Sequence, residues 1–577
     1  MRKRRTASLA FAGVSMFALA AALPVVAAEV TPERLINANK EPHNWLMNHR
    51  TYDAQRFSPL DAINEGNVKG LRLAYAVALG NSAGKEYNEA TALAEDGLLY
   101  ITDSWGVLYK IDVTSGDAGR IVWRMDPKQE RQSANRGAAF WGNLVITPAN
   151  APARIIATDK NTGKIVWETN LSQDLAQLQI TGAVLPIKDK IIVGASGGDR
   201  GIRDWIAALD AATGTQLWLK YTIPAPGEPG SETWKDKNNA WQTGGGAVWV
   251  TGSYDPATNQ TLWGIGNPVP MMDASARPGD NLFTNSLTSW DPDTGTMNWH
   301  FQYTPNDMWD FDEAGTHILF EREVNGERRR LITHSARNGF VYTMERHNGQ
   351  IVMVKPYIDN INWTKGIDPK TGKPLDYDPN KDVQSYSGLA NPTADNPVKK
   401  VCPNRTGGNN YWPSAYSPRT GLLYIPSMTA CEDVTNDKAL VAREKDKGWL
   451  ARTGGGYRVL ERYESELIAI DPVTGELKKR VRLRYPNYSG ALATGGGLVF
   501  IALMDGTIAA YDETTLEELW KFNVGSGFSA PPMTFAVNGR QYLAIAAGPS
   551  PQALSKLVLT PELKEQRTSA VLYIFGL

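Results

Sequence analysis

The chain has 577 residues, 42% of them hydrophobic and 21% charged, and a formal net charge of −1 at pH 7. That mixture belongs to a folded globular chain and excludes a disordered tail or a collagen-like rod. Near-neutrality removes the electrostatic case for nucleic acid or an anionic membrane surface as a partner, and the 18 Trp and 53 Gly favour turn-rich β-structure with docked aromatics over a helical bundle.

The N-terminus opens with Arg2, Lys3, Arg4 and Arg5, runs apolar from Ala7 to Val26, and ends in Val26-Ala27-Ala28 before Glu29. This reads as a secretory signal peptide cleaved after Ala28, so that residues 1–28 are the leader and 29–577 a single exported domain bound for the periplasm. A permanent anchor is the alternative, but the apolar run is short and ends in small residues. Arg4-Arg5 matches a twin-arginine signal poorly, and the export route stays open. No Cys adjoins the cleavage site, which argues against a lipoprotein, and no later apolar segment is long enough to span a membrane.

From there one pattern recurs: a short apolar strand, Asp, two residues, Thr, usually Gly, and a second strand with Trp eight residues after the Asp. Full copies are Asp159-Thr162-Gly163-Trp167, Asp210-Thr213-Gly214-Trp218, Asp291-Thr294-Gly295-Trp299 and Asp512-Thr515-Trp520. Weaker ones are Asp112 with Trp123, Arg346-His347-Asn348-Gly349, Ser417-Pro418-Arg419-Thr420-Gly421 and Asp471-Thr474-Gly475. Asp and Thr side chains bond turn amides and Gly supplies a positive φ, so each unit is a hairpin. One hairpin cannot bury its apolar face, and a Trp fixed in each unit implies docking between neighbours. The expected fold is all-β, an eight-bladed β-propeller of four-stranded antiparallel blades with long loops on one face.

Cys402 and Cys431 are the only cysteines. In an oxidising compartment they close one loop; otherwise they are two buried thiols. No C-x-x-C-H occurs, so covalent c-type haem is excluded within the chain. Between Thr304 and Gly315, Asp307, Asp310, Asp312 and Glu313 crowd a Trp-rich stretch. Alternation along Asp310-Phe311-Asp312 puts two carboxylates on one side of an extended segment, where a hard cation would relieve their repulsion. A solvated acidic loop is the bland reading.

The order Arg56-Phe57-Ser58-Pro59-Leu60, Ile63-Asn64, Gly266-Asn267-Pro268, Arg277-Pro278-Gly279-Asp280-Asn281-Leu282, Thr304-Pro305-Asn306-Asp307-Met308-Trp309-Asp310 and Leu498-Val499-Phe500 resembles the pyrroloquinoline-quinone (PQQ)-dependent alcohol dehydrogenases, from Trp45 to the C-terminus. The resemblance implies a metal held against PQQ by Asp199, Asn267 and Asp310. Asp310 doubles as catalytic base, and Asp312 is the extra carboxylate that favours a lanthanide over Ca²⁺. Quinone contacts implied are Glu89, Arg136, Thr181, Ser196, Gly197, Gly198, Asn410 and Tyr411, with Trp249 stacking on one ring face. Arg337 stands near the reactive carbonyl, both contact and catalytic group. Taken alone, Trp249 reads as blade core and Arg337 as a surface charge. The chain departs from the family with Asp199 where Glu is usual, and with Glu130-Arg131 at the places of a vicinal disulfide. The implied activity is oxidation of a primary or secondary alcohol, bulky and polyol substrates included, with a soluble cytochrome c as electron acceptor. The rivals are a non-catalytic envelope propeller and a hydrolase using Asp307 and Asp310 as acid and base.

Overall fold

A computed structural model describes residues 28–80, 85–388, 398–436, 455–563 and 569–577; the leader before Ala28 lies outside the described residues. Seven four-stranded sheets and one of five strands follow one another along the chain; each is built on a four-stranded antiparallel meander, and in the five-stranded one Phe57–Ser58 adds in parallel to Ala491–Thr494. We number the blades 1 to 8 by residues 93–125, 139–170, 185–221, 253–302, 318–356, 415–483, 491–523 and 533–576. Innermost strands are buried throughout, as in Ala491–Thr494. Outermost ones are largely exposed, as in Gln216–Tyr221. Blade 8 takes its outermost strand, Arg72–Ala78, from the N-terminal region, with Ala78 opposite Val571 and Arg72 opposite Gly576. This closes the ring and removes the free edge. A three-stranded sheet pairs Val398–Val401, from the segment leading into blade 6, with Glu432–Asn436 and Gly455–Val459, inserted within it.

The recurrent turns form as expected. The Asp210 carboxylate accepts from the Thr213 amide and hydroxyl, each at 2.8 Å, and Asp159 and Thr162 repeat the pair at 2.7 and 2.8 Å. The Trp of one blade then reaches the turn of the next: Trp123 Nε1 donates to the Lys160 carbonyl, Trp167 to Ala211, Trp218 to Pro292 and Trp520 to Leu71. The turn glycine is held on two counts. At Gly214 φ is +75°, and an added Cβ would stand 2.4 Å from the Trp167 ring. Gly163 and Gly295 meet Trp123 and Trp218 in the same way.

Residues 43–58 thread the blades together. The Trp45 amide donates to the carbonyl of Ala94 in blade 1, and the Tyr52 hydroxyl to Pro186 in blade 3. The amides of Tyr254, Leu319, Tyr416 and Ala493, in blades 4 to 7, donate to carbonyls of Tyr52, Asp53, Gln55 and Arg56. The fully buried Arg56 guanidinium bonds Ala491 O, Thr91 Oγ1 and Pro532 O, joining blades 7, 1 and 8. This plug meets the innermost strands beyond their starts, at the end of the ring where the Asp turns also fall. The loops that lead into those strands fall at the other end.

Cys402 and Cys431 form a disulfide, Cα to Cα 4.5 Å. It ties the inserted sheet to the loop after Pro403. No helix among the described residues is long and apolar enough to cross a membrane.

Candidate active site

The loops leading into the innermost strands enclose a cavity of about 460 Å³. Glu89 precedes blade 1, Arg136 blade 2, Thr181 blade 3, Trp249 blade 4, Asp310, Asp312 and Asn410 blades 5 and 6, and all of them line it. Ser196, Gly197, Gly198, Asp199, Asn267, Arg337 and Tyr411 complete the expected set, so every sequence-predicted site residue stands in this one cavity.

One wall is built on Arg136. Its guanidinium pairs with Glu89 at 2.9 Å and lies over the rings of Tyr411 and Trp249, 4.4 and 4.8 Å from their centroids. The Trp249 indole is therefore not blade core alone; it forms part of a planar cationic and aromatic surface. Tyr411 is anchored through its hydroxyl to the carbonyls of Ser529 and Tyr488. Asn410 holds the Thr406 carbonyl through Nδ2 and the Tyr411 amide through Oδ1. Thr181 Oγ1 donates to the Trp249 carbonyl at 3.3 Å. Ser196 exchanges two backbone bonds with Gln179, which holds the Gly197-Gly198 turn and Asp199 at the cavity.

The opposing groups are acidic. Arg337 pairs with Asp312 at 2.9 Å and stands 3.7 Å from Asp310, while its Nη1 donates to the Asp310 carbonyl at 2.8 Å. Asp312 also accepts from the Asn267 amide at 2.7 Å, an approach open only because residue 266 is glycine: a Cβ there would lie 2.2 Å from Asp312 Oδ1. Asn267 Nδ2 donates to Pro268, which turns its amide oxygen away from that bond. Asp310 Oδ1 is buried without a hydrogen-bond partner. Burial pushes the Asp310 carboxyl well above the usual range, Arg337 opposes this, and Asp199 and Asp312 add to it. Burial alone would lower Arg337, but Asp312, Asp310 and Glu313 outweigh it and raise it.

Two expectations are corrected here. Asp310 takes a left-handed backbone conformation, φ +61°, so Asp310-Phe311-Asp312 is not a regular extended segment. Its two carboxylates still converge, both on Arg337, and the Phe311 ring between them is buried edge-on against Trp363. Nor is the stretch a solvated acidic loop, since Asp307 and Glu313 are fully buried. The Asp307 carboxylate accepts from the amides of Trp309 and Phe311 and caps the turn, with Arg277 bonded to the Asp307 carbonyl. Asp307 does not line the cavity, which removes the acid and base pair of a hydrolase. Glu313 accepts from the Arg337 amide and pairs with His334 at 3.1 Å. Gln132, Ser133 and Ala134 line the cavity, whereas Glu130 and Arg131 do not.

Sequence reasoning missed Arg405, Tyr457, Gln552, Ser555 and Lys556, which also line the cavity, and the fully buried Asp204 beneath Gly198. None has a periodic or motif signal.

Three carboxylates and an amide oxygen make a hard oxygen donor set that suits Ca²⁺ or a lanthanide. Among the described residues no three His, Cys, Asp or Glu side chains already stand as a closed metal cluster; Arg337 is the cation between Asp310 and Asp312. The orphaned Asp310 oxygen and the mutual repulsion of the carboxylates are what a bound cation would relieve. Arg136, the hydroxyls of Thr181 and Ser196, and the Trp249 face suit a flat polycarboxylate such as PQQ.

Residues 45–355 and 470–543 match the family described as "Glucose/ethanol/alcohol dehydrogenase, beta-propeller domain". The chain is 34% identical over 547 residues to the quinoprotein alcohol dehydrogenase PedH of Pseudomonas putida, covering 90% of this chain and 89% of that one. It is equally 34% identical to a quinoprotein ethanol dehydrogenase of Pseudomonas putida over 577 aligned positions, 93% and 90% of the two chains. Among solved structures, a europium-containing methanol dehydrogenase superposes with a TM-score of 0.83 at 29% identity over 94% of this chain and 100% of that one. These matches set aside the non-catalytic propeller. The chain belongs to the PQQ-dependent quinoprotein alcohol dehydrogenase family.

Proposed function

We propose that this chain is an exported enzyme that oxidises an alcohol to an aldehyde or ketone, with PQQ and one hard metal ion held by Asp199, Asn267, Asp310 and Asp312. The observation that carries the reading is the convergence of those four donors with the Arg136, Trp249 and Arg337 surface in one cavity. Bound there, the quinone supplies the acceptor for the substrate's C–H hydrogen and its electron pair, and the metal supplies a Lewis acid.

The protein's own part is proton transfer and orientation. Asp310 Oδ1, buried and without a bond, takes the hydroxyl proton of the alcohol. Arg337 fixes that carboxylate by holding its residue's carbonyl and brings positive charge to where negative charge develops. Glu313, anchored to the Arg337 amide and to His334, keeps the Arg337 backbone in place.

Asp312 favours a lanthanide over Ca²⁺, because a trivalent ion gains from one more anionic oxygen. The shorter arm of Asp199 requires its loop to move inward, a water to bridge, or the metal to be held more weakly. The proposed electron acceptor is a soluble cytochrome c in the periplasm, since the 577 residues carry no C-x-x-C-H of their own. The test is reconstitution: ethanol oxidation with an artificial acceptor is expected only when PQQ and either Ca²⁺ or La³⁺ are both supplied. No oxidation under any combination would overturn the reading. Substituting Asp312→Ala is expected to abolish the La³⁺ response selectively.

A further inference from the structure

The cavity has two kinds of wall. Glu89, Arg136, Trp249, Asn267, Asp310 and Arg337 fall inside the stretch that matches the family, 45–355 and 470–543. Arg405, on the loop leading into blade 6, Tyr457, on the inserted strand Gly455–Val459, and Gln552, Ser555 and Lys556, on the short helix Pro551–Ser555 and its cap, fall outside it. Exposure rises from one to the other: the Arg337 side chain is 6% exposed and that of Arg405 21%, while Gln552 and Ser555 are exposed outright. The second group is the mouth through which a substrate reaches Asp310.

Among the described residues the mouth carries the cations Arg405 and Lys556, with the Glu432 carboxylate behind Arg405. Arg405 is held by Glu432, whose Oε1 accepts from the Arg405 amide at 2.8 Å and whose Oε2 stands 3.9 Å from Nε. The disulfide beside both residues pins this pair, and the Arg405 carbonyl accepts from Arg337 Nη1 at 3.2 Å. Lys556 is half-buried and has no ion-pair partner within 4 Å among the described residues; its ammonium lies 5.8 Å from the centre of the Tyr463 ring. Arg405 is largely offset by Glu432, so among the described residues Lys556 leaves a surplus of one positive charge. A partly desolvated, unpaired cation at a polar mouth is costly unless an anion meets it.

We propose that the mouth is an anion subsite, and that the preferred substrates are alcohols bearing a carboxylate at the end away from the reacting carbinol, recognised by Lys556 and Arg405. This deepens the dehydrogenase reading and rests on it. One surplus charge matches a carboxylate rather than a doubly charged phosphate. The amide of Gln552 and the edge of Tyr457, whose ring carries the Arg405 guanidinium 2.9 Å from its centroid, suit the intervening carbon chain. Burial first, and Arg405 next, bring the Lys556 ammonium down to about 8, with Glu432 and Asp310 opposing and Arg337 adding. The subsite is therefore charged at pH 7 and fades above pH 8.

The test compares 4-hydroxybutyrate and 6-hydroxyhexanoate with their neutral amides on the enzyme reconstituted with PQQ and metal, with ethanol as reference. At pH 7 and low salt at least one acid is expected to exceed its amide by about tenfold in kcat/KM, carried by KM. The ratio is expected to fall in 0.5 M salt, above pH 8, and in Lys556→Met and Arg405→Gln. The affinity for PQQ, read from quenching of tryptophan fluorescence, is expected to hold in Lys556→Met. Equal ratios for acid and amide, a ratio untouched by both substitutions, or loss of PQQ affinity in Lys556→Met would overturn the subsite. Oxidation of ethanol but of neither acid would also overturn it and spare the dehydrogenase reading. Failure with ethanol as well would bring down that reading and the subsite together.

Discussion

The two ends of the ring are built on opposite plans. At the plugged end the turns at Asp159, Asp210, Asp291 and Asp512 repeat the carboxylate bond to the Thr amide, and at the first three the Trp of a neighbouring blade closes on the turn. At the open end each loop leading into an innermost strand has its own conformation and brings a different chemical group: an ion-paired Arg136, an indole, an amide, two carboxylates. Stability is concentrated where the chain repeats itself, and chemistry where it does not. The left-handed Asp310, its orphaned oxygen and the Asp312 carboxylate pressed against Gly266 are features the repeat could not tolerate in every blade.

If that division holds, damage at one end leaves the other's property alone. The largest effect is expected from Asp310→Asn, which removes the proposed base while keeping its shape. Alcohol oxidation should fall by about 10²- to 10⁴-fold, with the melting temperature unchanged or raised, since a repelled buried charge is gone. A comparable loss of stability would place Asp310 in the scaffold instead.

Acid should attack the plug through His49. Buried His49, beside Arg56, is held neutral, its pKa brought down to about 3 by burial and then by the Arg56 charge. The unfolded chain takes up this proton below about 6.5, so stability is intact above that pH and is lost as pH falls toward 3. The loss reaches about 4 to 5 kcal/mol. A His49→Asn variant should flatten this part of the pH–stability curve measured by denaturant unfolding; an unchanged slope would assign acid sensitivity elsewhere.

Removing the disulfide with Cys402→Ser and Cys431→Ser together should cost about 3 to 4 kcal/mol through its 29-residue separation. This is the one change expected to touch both properties, because the pinned segment carries Arg405. The smallest effect is at the rim. Gly214→Ala meets both a positive φ and the Trp167 ring and should cost about 2 to 3 kcal/mol, with the activity of each folded molecule intact. Lowered specific activity in that variant would break the division.

The same division explains what the sequence disclosed. The turn pattern is local, its spacing recurs, and its bonds join residues three apart, so the blades were readable from Asp, Thr, Gly and Trp alone. The plug was not: Arg56 bonds residues more than 400 positions away, at Ala491 and Pro532, and its neighbourhood showed only as part of a family likeness. In the acidic stretch composition was visible but conformation was not. Asp307 and Asp310 look alike in sequence, yet one caps backbone amides and the other faces a cavity; the Asx-turn spacing from Asp307 to Trp309 was the one local hint. Arg405 and Lys556 carry no repeat, motif or likeness, and only folding brings the loop leading into blade 6 and the C-terminal helix to one mouth.

The central claim is that Asp199, Asn267, Asp310 and Asp312 form a single ion site against bound quinone. It is met most directly by metal analysis of the reconstituted protein after exhaustive dialysis. The account predicts one La³⁺ and one PQQ retained per chain in the parent protein, and loss of the ion when Asp199, Asp310 and Asp312 are all replaced by Ala. Retention of the ion in that triple variant, or none in the parent, would contradict it.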